Sequence, residues 1–217
     1  MTNDIRLESF LRSCTVKEDP YLVALRKEAE AEGVPIIRRE EEAILQFFAS
    51  EEETRKVLEI GTGTGYSGIL MLKALPEEAC LTTVELDPER KKKAEKHFEE
   101  AGFLSRVTLV NGDMKEVLKT LPDSSFDLIF QDSAKGQYLH VLPEMLRVLS
   151  PGGVLLTDNL FFEGVLLDPK SLTVRRDRTI HDKLRAYLQA VLESPELTSM
   201  LIPLGDGMLV SRKKVDQ

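Results

Sequence analysis

From residue 56 onward, short apolar runs alternate with longer stretches in which apolar and charged residues recur at helical spacing. Short runs bounded by turn residues are typical of buried strands, and amphipathic stretches between them are typical of helices. The predicted strands are 56–61, 80–86, 106–112, 126–132 and 152–159. The predicted helices are 66–75, 88–102, 114–121, 138–149 and about 175–193. Because parallel strands need crossover connections, this order predicts an α/β fold with a doubly wound, mostly parallel sheet.

The two ends of the chain depart from that alternation. Before residue 56, apolar residues recur every three or four positions, which predicts a helical N-terminal extension over 1–55. After the last helix come two apolar runs, 199–204 and 207–213, and the Asp206-Gly207 pair between them signals a hairpin. We therefore expect one domain over 1–217, with a core over 56–217 whose seven-stranded sheet ends in an antiparallel hairpin.

Composition removes several classes of protein. The chain has 217 residues, 42% of them hydrophobic, and only two cysteines, so it is neither disordered nor a disulfide-stabilised scaffold. It has no apolar run long enough for a membrane helix and no apolar leader, which predicts a cytoplasmic protein. The net charge of −8 argues against indiscriminate binding to nucleic acid, although it leaves room for a local basic patch.

A glycine-rich turn follows the first predicted strand. Gly61, Gly63 and Gly65 stand where that strand gives way to a helix, and glycines there let a ligand approach the main chain. A tight turn with no ligand is the alternative. Glu85, at the end of the second strand, lies 20 residues beyond Gly65, where nucleotide-binding sites place an acidic residue for a ribose diol. The spacing therefore favours a nucleotide-type ligand.

The turn differs from a dinucleotide-binding fingerprint. Its third glycine comes too early, and Glu59, two positions before the first glycine, disfavours a pyrophosphate and suits a cationic ligand. The E-x-G-x-G-x-G pattern resembles motif I of the class I S-adenosylmethionine (SAM)-dependent methyltransferases, and Asp113 resembles their adenine-side acidic position. The resemblance implies a Rossmann-like core and SAM as cofactor. A dinucleotide-dependent oxidoreductase remains an alternative, as does a non-catalytic binding protein.

Polar residues also end the fourth and fifth strands. Asp132, Asp158 and Asn159 would bring three oxygen ligands to one edge of the sheet, a set that suits Mg²⁺ better than zinc. Lys135 follows Asp132 by three positions and can return toward the same edge. A solvated loop lysine is the plain interpretation, but a lysine beside a bound cation loses its proton more readily and can serve as a general base.

This D-x-x-K and D-N arrangement resembles the metal-dependent catechol and caffeoyl-CoA O-methyltransferase family over nearly the whole chain. The resemblance implies that Asp132, Asp158 and Asn159 hold Mg²⁺ and that Lys135 deprotonates the substrate hydroxyl. It also implies a homodimer. The implied cofactor contacts are Ile37, Glu59, Gly61, Gly63, Ser67, Glu85, Asp113 and Asp132.

The basic side chains of residues 170–185 suggest which kind of molecule carries the hydroxyl group that is methylated. Residues 170–185 carry six basic and two acidic side chains, a local balance of +4. A solvated helix start is one explanation, but arginines at a helix N-terminus oppose its dipole and invite an anionic partner. The segments 132–138, 157–164, 174–178 and 202–214 together resemble the bacterial tRNA 5-hydroxyuridine methyltransferases. That resemblance implies tRNA as partner, with Arg175, Arg176 and Arg178 as candidate contacts. A small catechol-type or hydroxycinnamoyl acceptor is the alternative.

Overall fold

The computed structural model describes residues 6, 10, 13, 14, 19–170 and 173–215. The strands are β1 Lys56–Ile60, β2 Cys80–Glu85, β3 Val107–Asn111, β4 Phe126–Gln131, β5 Leu149–Thr157, β6 Leu197–Ile202 and β7 Met208–Lys213. The helices are α1 Pro20–Ala31, α2 Arg39–Ala49, α3 Tyr66–Ala74, α4 Pro88–Glu100, α5 Met114–Thr120, α6 Tyr138–Val148 and α7 Arg178–Leu192. Short 3-10 turns occur at Leu104–Arg106 and Lys135–Gln137.

The strands form one seven-stranded sheet in the order β3-β2-β1-β4-β5-β7-β6. The five strands from β3 to β5 pair in parallel, whereas β7 pairs antiparallel with both β5 and β6. The predicted fold is therefore confirmed, including the terminal hairpin. Among the described residues, none of the helices combines the length and apolar character needed to cross a bilayer.

Some predicted boundaries were wrong. Strand β5 begins at Leu149 rather than residue 152, because the ladder with β4 has a bulge that accommodates Pro151 and Gly152. Helix α7 begins at Arg178, so Arg175 and Arg176 precede the helix instead of opening it. Within the predicted helical extension, residues 1–5, 7–9, 11, 12 and 15–18 lie outside the described part of the chain.

Helices cover both faces of the sheet. Side chains alternate along each strand, so Val57 joins an apolar cluster with α1 to α4 while its neighbour Leu58 joins a cluster with α5 to α7. Both residues are fully buried. Burial on both faces explains why the parallel strands appear in the sequence as continuous apolar runs instead of alternating ones.

A buried arginine attaches the N-terminal extension to the core. The Arg26 guanidinium donates to the Ile37 carbonyl at 2.7 Å and to Glu42 at 2.5 Å. It also stacks 4.7 Å from the centroid of the Tyr66 ring, whose hydroxyl donates to Glu42 at 2.6 Å. This cluster joins α1, α2 and α3 and fixes the backbone at Ile37.

The carboxyl ends of the central strands meet at one edge. Gly61, with φ of +103°, passes so close to β4 that a Cβ there would overlap the carbonyl oxygen of Asp132. The Asp132 N–H donates to the Ile60 carbonyl at 2.9 Å, and the Asp158 N–H donates to the Gln131 carbonyl at 3.0 Å. The turn after β1 and the polar residues after β4 and β5 are therefore neighbours.

We expect the Phe98→Ala variant to lower the free energy of unfolding by about 3–5 kcal/mol. Phe98 on α4 is fully buried and packs so tightly under α3 that a Cβ at Gly68 would lie 2.8 Å from its ring. Urea denaturation of the purified protein measures the change. Phe47→Ala is the matched control, since Phe47 is 68% exposed and its removal leaves no comparable cavity. Equal losses in both variants would contradict this description of the core.

Candidate active site

A cavity of about 430 Å³ opens at the carboxyl ends of β1, β2 and β4. It lies where the strand order reverses between β1 and β4, which is where open α/β sheets bind ligands. Its lining includes Pro35, Gly61, Gly63, Glu85, Asp113, Asp132, Lys135 and Asn159. The sheet thus brings seven of the sequence-predicted site residues to one cavity.

Two carboxylates stand at the end of the cavity formed by β2 and β3. Glu85 accepts hydrogen bonds from the backbone N–H groups of Gly63 and Asp87, each at 2.9 Å, so it fixes the glycine-rich turn against β2. Asp113 caps the N-terminus of α5 by accepting from the Lys115 N–H at 2.9 Å. Their remaining acceptor capacity faces the cavity, where it suits hydroxyl and amino groups of a ligand.

Glu59 supports the glycine-rich turn from behind the cavity. Its carboxylate is fully buried and accepts from the hydroxyls of Ser67 and Thr83, each at 2.6 Å. Burial raises the pKa of Glu59 to about 7, although both hydrogen bonds oppose that shift. In the described part of the chain, Glu59, Ser67 and Ile37 lie outside the cavity lining. Their predicted role as cofactor contacts therefore stays a prediction.

Beyond the opposite end, the predicted ligand Asp158 lies outside the cavity lining, in an unusual environment. The residue is fully buried; its Oδ1 accepts from the Asn159 N–H at 2.6 Å, and its Oδ2 has no hydrogen-bond partner. Burial raises the pKa of Asp158 well above its ordinary value, and the charges of Glu41 and Asp132 add to that effect. A buried carboxylate oxygen without a donor requires a proton or a cation.

Lys135 and Asn159 complete this end of the cavity. The Lys135 ammonium donates to the Asn159 Oδ1 at 2.8 Å, although 24 residues separate them along the chain. Asn159 adopts a left-handed conformation with φ of +52°, and the Tyr138 hydroxyl donates to the Asp158 carbonyl at 3.2 Å. The predicted lysine and the predicted Asp-Asn pair are thus in direct contact.

The oxygen atoms at this end suit a hard cation. Burial raises the pKa of Asp132, whereas the charge of Lys135 opposes that rise. Among the described residues, no three His, Cys, Asp or Glu side chains converge closely enough to hold a metal. The set formed by Asp132, Asp158 and Asn159 contains only two carboxylates, with an amide as the third group. The unpartnered Oδ2 of Asp158 is the observation that fits a bound cation.

The basic segment before and along α7 is only partly neutralised. Lys170 pairs with Asp182 at 2.5 Å, and Arg176 pairs with its neighbour Asp177 at 3.2 Å. Arg178 donates through Nε to the carbonyl of residue 173 at 3.1 Å. These three cations are therefore engaged within the segment itself.

Other cations of the same segment remain available. Within the described ranges, Arg175, Lys183 and Arg185 have no ion-pair partner. Lys183 extends toward the turn that follows Lys135, since a Cβ built at Gly136 would lie 3.5 Å from its ammonium. Lys183 was not predicted as a site residue; its only sequence signal is its place in the basic run.

Glu41 was also missed in the sequence. It lies in the first turn of α2, is fully buried, and accepts from the Asp206 N–H at 3.0 Å. Burial raises the pKa of Glu41 to about 7. Three consecutive glutamates at the start of a helix are an ordinary pattern that stabilises the helix dipole, so nothing in the sequence distinguishes the buried one.

Comparison with known proteins identifies the family of this chain. The family model described as "O-methyltransferase" matches residues 12–214. A proposed O-methyltransferase of Mycolicibacterium vanbaalenii is 33% identical over 200 residues, covering 92% of this chain and 86% of that protein. The chain also resembles the SAH-bound Podospora anserina methyltransferase PaMTH1, with 25% identity, a TM-score of 0.85 and coverage of 97% and 94%.

A second solved structure gives the same result. A proposed O-methyltransferase from Klebsiella pneumoniae has a TM-score of 0.84 and 27% identity, with coverage of 97% of each chain. The family model, the sequence relative and both structures thus agree on one class of enzyme, and all of them span almost the full chain. This chain therefore belongs to the O-methyltransferase family and is an enzyme that uses SAM.

Proposed function

We propose that this enzyme is a Mg²⁺-dependent O-methyltransferase whose acceptor is the hydroxyl of 5-hydroxyuridine at the wobble position of tRNA. One observation supports the metal site above all others: the buried, unpartnered Oδ2 of Asp158 beside Asp132 and Asn159. We further propose that the chain folds as a single domain, acts in the cytoplasm and forms a homodimer through its N-terminal extension.

The two ends of the cavity would have different roles, one in binding SAM and the other in activating the acceptor. Glu85 and Asp113 would bind the nucleoside of SAM, while the backbone of Gly61 and Gly63 allows its close approach. Behind them, Glu59 with Ser67 and the Ile37 segment would support the amino-acid portion. When bound, SAM supplies an electrophilic methyl group. The residues of this chain would hold the acceptor oxygen close to that methyl group.

The other end would activate the acceptor. Asp132, Asp158 and Asn159 would hold Mg²⁺, which when bound supplies Lewis-acid stabilisation of an ionised hydroxyl. Lys135 would take the hydroxyl proton at Nζ, and its 2.8 Å hydrogen bond to the Asn159 Oδ1 supports this role because it holds Nζ beside a proposed ligand. Its contact with Asn159 keeps that nitrogen at the edge of the cavity.

The unpaired cations favour an RNA acceptor. Arg175, Lys183 and Arg185 have no partner in the described ranges, and Lys183 points to the turn beside Lys135. Arg176 and Arg178 would also bind phosphates if RNA phosphates replaced Asp177 and the carbonyl of residue 173 as their partners. A base in an anticodon loop is already single-stranded, so it can enter a narrow pocket without unpairing a duplex.

A small catechol-type or hydroxycinnamoyl acceptor is the second candidate. Such a ring would need aromatic side chains to hold it near Lys135. Phe161 follows the Asp-Asn pair closely, but it is buried, and its ring packs against Gly207. This placement makes Phe161 part of the core and favours the RNA acceptor.

The Asp158→Ala variant should lose methyl transfer by at least about 100-fold, because loss of Lewis-acid catalysis costs several kcal/mol of transition-state stabilisation. SAM binding measured by calorimetry should change little, since Asp158 lies outside the cavity lining. Chelation of the wild-type enzyme with EDTA should reproduce the loss, and added Mg²⁺ should reverse it. Full turnover in EDTA would contradict the metal dependence.

Lys135→Met should lower kcat by about 10²–10⁴ and remove the pH dependence that the general base contributes. Lys135→Arg is the matched control, since arginine keeps the positive charge but cannot act as a base at ordinary pH. We expect it to bind SAM normally and to be as inactive as the methionine variant. Substantial activity of Lys135→Arg would mean that the lysine acts through its charge alone.

Replacing both Arg175 and Arg176 by alanine should weaken tRNA methylation and reduce the slope of log K against log salt by about 2. The measurement is tRNA binding and methylation across a salt series. The control replaces Lys92 and Lys96, two exposed lysines of α4, and should leave the slope unchanged. Equal losses toward tRNA and a free catechol would count against an RNA role for these arginines.

A further inference from the structure

Glu41 is a fully buried carboxylate of the N-terminal extension, and its charge acts on Asp158 of the proposed metal site. Its Oε1 accepts from the Asp206 N–H at 3.0 Å, whereas its Oε2 has no hydrogen-bond partner among the described residues. Asp158 Oδ2 is likewise buried and has no hydrogen-bond partner among the described residues. Two buried carboxylates with unpartnered oxygens thus occupy one region of the protein.

Negative charge exceeds positive charge in this region. The charge of Glu41 acts on Asp158, as does that of Asp132, and Asp206 interacts electrostatically with Glu41 and Glu163. The cations that act on them are Lys135 and Arg38. Lys135 is bonded to Asn159, and Arg38 reaches only Asp206, at 4.0 Å. The carboxylates of this region outnumber the cations that act on them, an imbalance that a bound divalent cation would reduce.

Glu41 is also connected to the metal site through the backbone. It holds the turn at 205–207, where a Cβ at Gly205 would overlap the Glu41 carboxylate. That turn accepts hydrogen bonds from the N–H groups of Leu160 and Phe161 at 2.9 and 2.7 Å. Because these residues directly follow Asn159, Glu41 supports the segment that carries a proposed ligand.

We propose that Glu41 is a positioning residue of the divalent-cation site, which strengthens cation binding by its charge and by holding the turn beside Asn159. This inference rests on the proposed function, because it assumes the site of Asp132, Asp158 and Asn159. We place Glu41 outside the proposed ligand set of Asp132, Asp158 and Asn159, and among the described residues three acidic side chains do not converge closely enough to hold a metal. The carboxylates of Glu41 and Asp132 both act on Asp158.

The test is Mn²⁺ affinity, measured by calorimetry or electron paramagnetic resonance on full-length protein saturated with S-adenosylhomocysteine. Glu41→Gln keeps an acceptor for the Asp206 N–H and removes the charge, so we expect Mn²⁺ to bind about tenfold more weakly. Glu163→Gln is the matched control: it removes the same charge from an exposed side chain that acts on Asp206, and because solvent screens that charge it should leave Mn²⁺ affinity within twofold of wild type.

The outcomes separate the two proposals. Unchanged Mn²⁺ affinity in Glu41→Gln, with wild type binding Mn²⁺, overturns the role of Glu41 and leaves the metal site standing. Failure of wild type to bind Mn²⁺ while it binds S-adenosylhomocysteine overturns both. If Glu41→Gln does not fold, Glu41→Met removes the charge without burying an unpaired amide, and it also removes the acceptor for the Asp206 N–H, so unchanged Mn²⁺ affinity in that variant overturns both parts of the proposal. Equal weakening of Mn²⁺ binding in Glu163→Gln would mean that the affinity depends on the total charge of the protein and not on the position of Glu41. That result would also overturn the proposal.

Discussion

The close approach of the backbone at Gly61 to the backbone at Asp132 is the constraint on which the whole site depends. It is possible only because Gly61 lacks a side chain and has φ of +103°. It places the turn that follows β1 directly against the end of β4, so the ligand-binding turn and the acidic edge form one cavity. Any side chain at position 61 would push the glycine-rich turn away from the backbone at Asp132. The two parts of the cavity would then lie farther apart than transfer between two bound substrates allows.

The central sheet provides this edge but does not complete it. The N-terminal extension adds the buried Arg26, which fixes the backbone at Ile37, and the buried Glu41, which holds the turn at 205–207. Both charges are removed from water, so each must be compensated by specific partners. The extension therefore borders the site, and the contacts of Arg26 and Glu41 that attach it form in only one geometry.

The sequence predicted the parts of the fold that depend on local pattern. Apolar runs identified the strands. Because parallel strands share their carboxyl edge, residues at strand ends, such as Glu85 and Asp132, were predicted to lie close together, and both line the cavity. It did not predict the start of α7 at Arg178, where no side chain caps the helix. It could not identify Glu41, whose burial depends on a contact with Asp206 that spans 165 residues.

The left-handed backbone at Asn159, Phe162 and Glu163 has a consequence for how the enzyme is made. Such conformations are unfavourable for residues other than glycine, and here residues 206 and 207 hold the segment by accepting its N–H groups. Strand β7, which follows that turn, is inserted between β5 and β6. During translation, residues 206 and 207 leave the ribosome well after the loop beyond Asn159, so that loop lacks these hydrogen-bond acceptors until the turn before β7 has been synthesised.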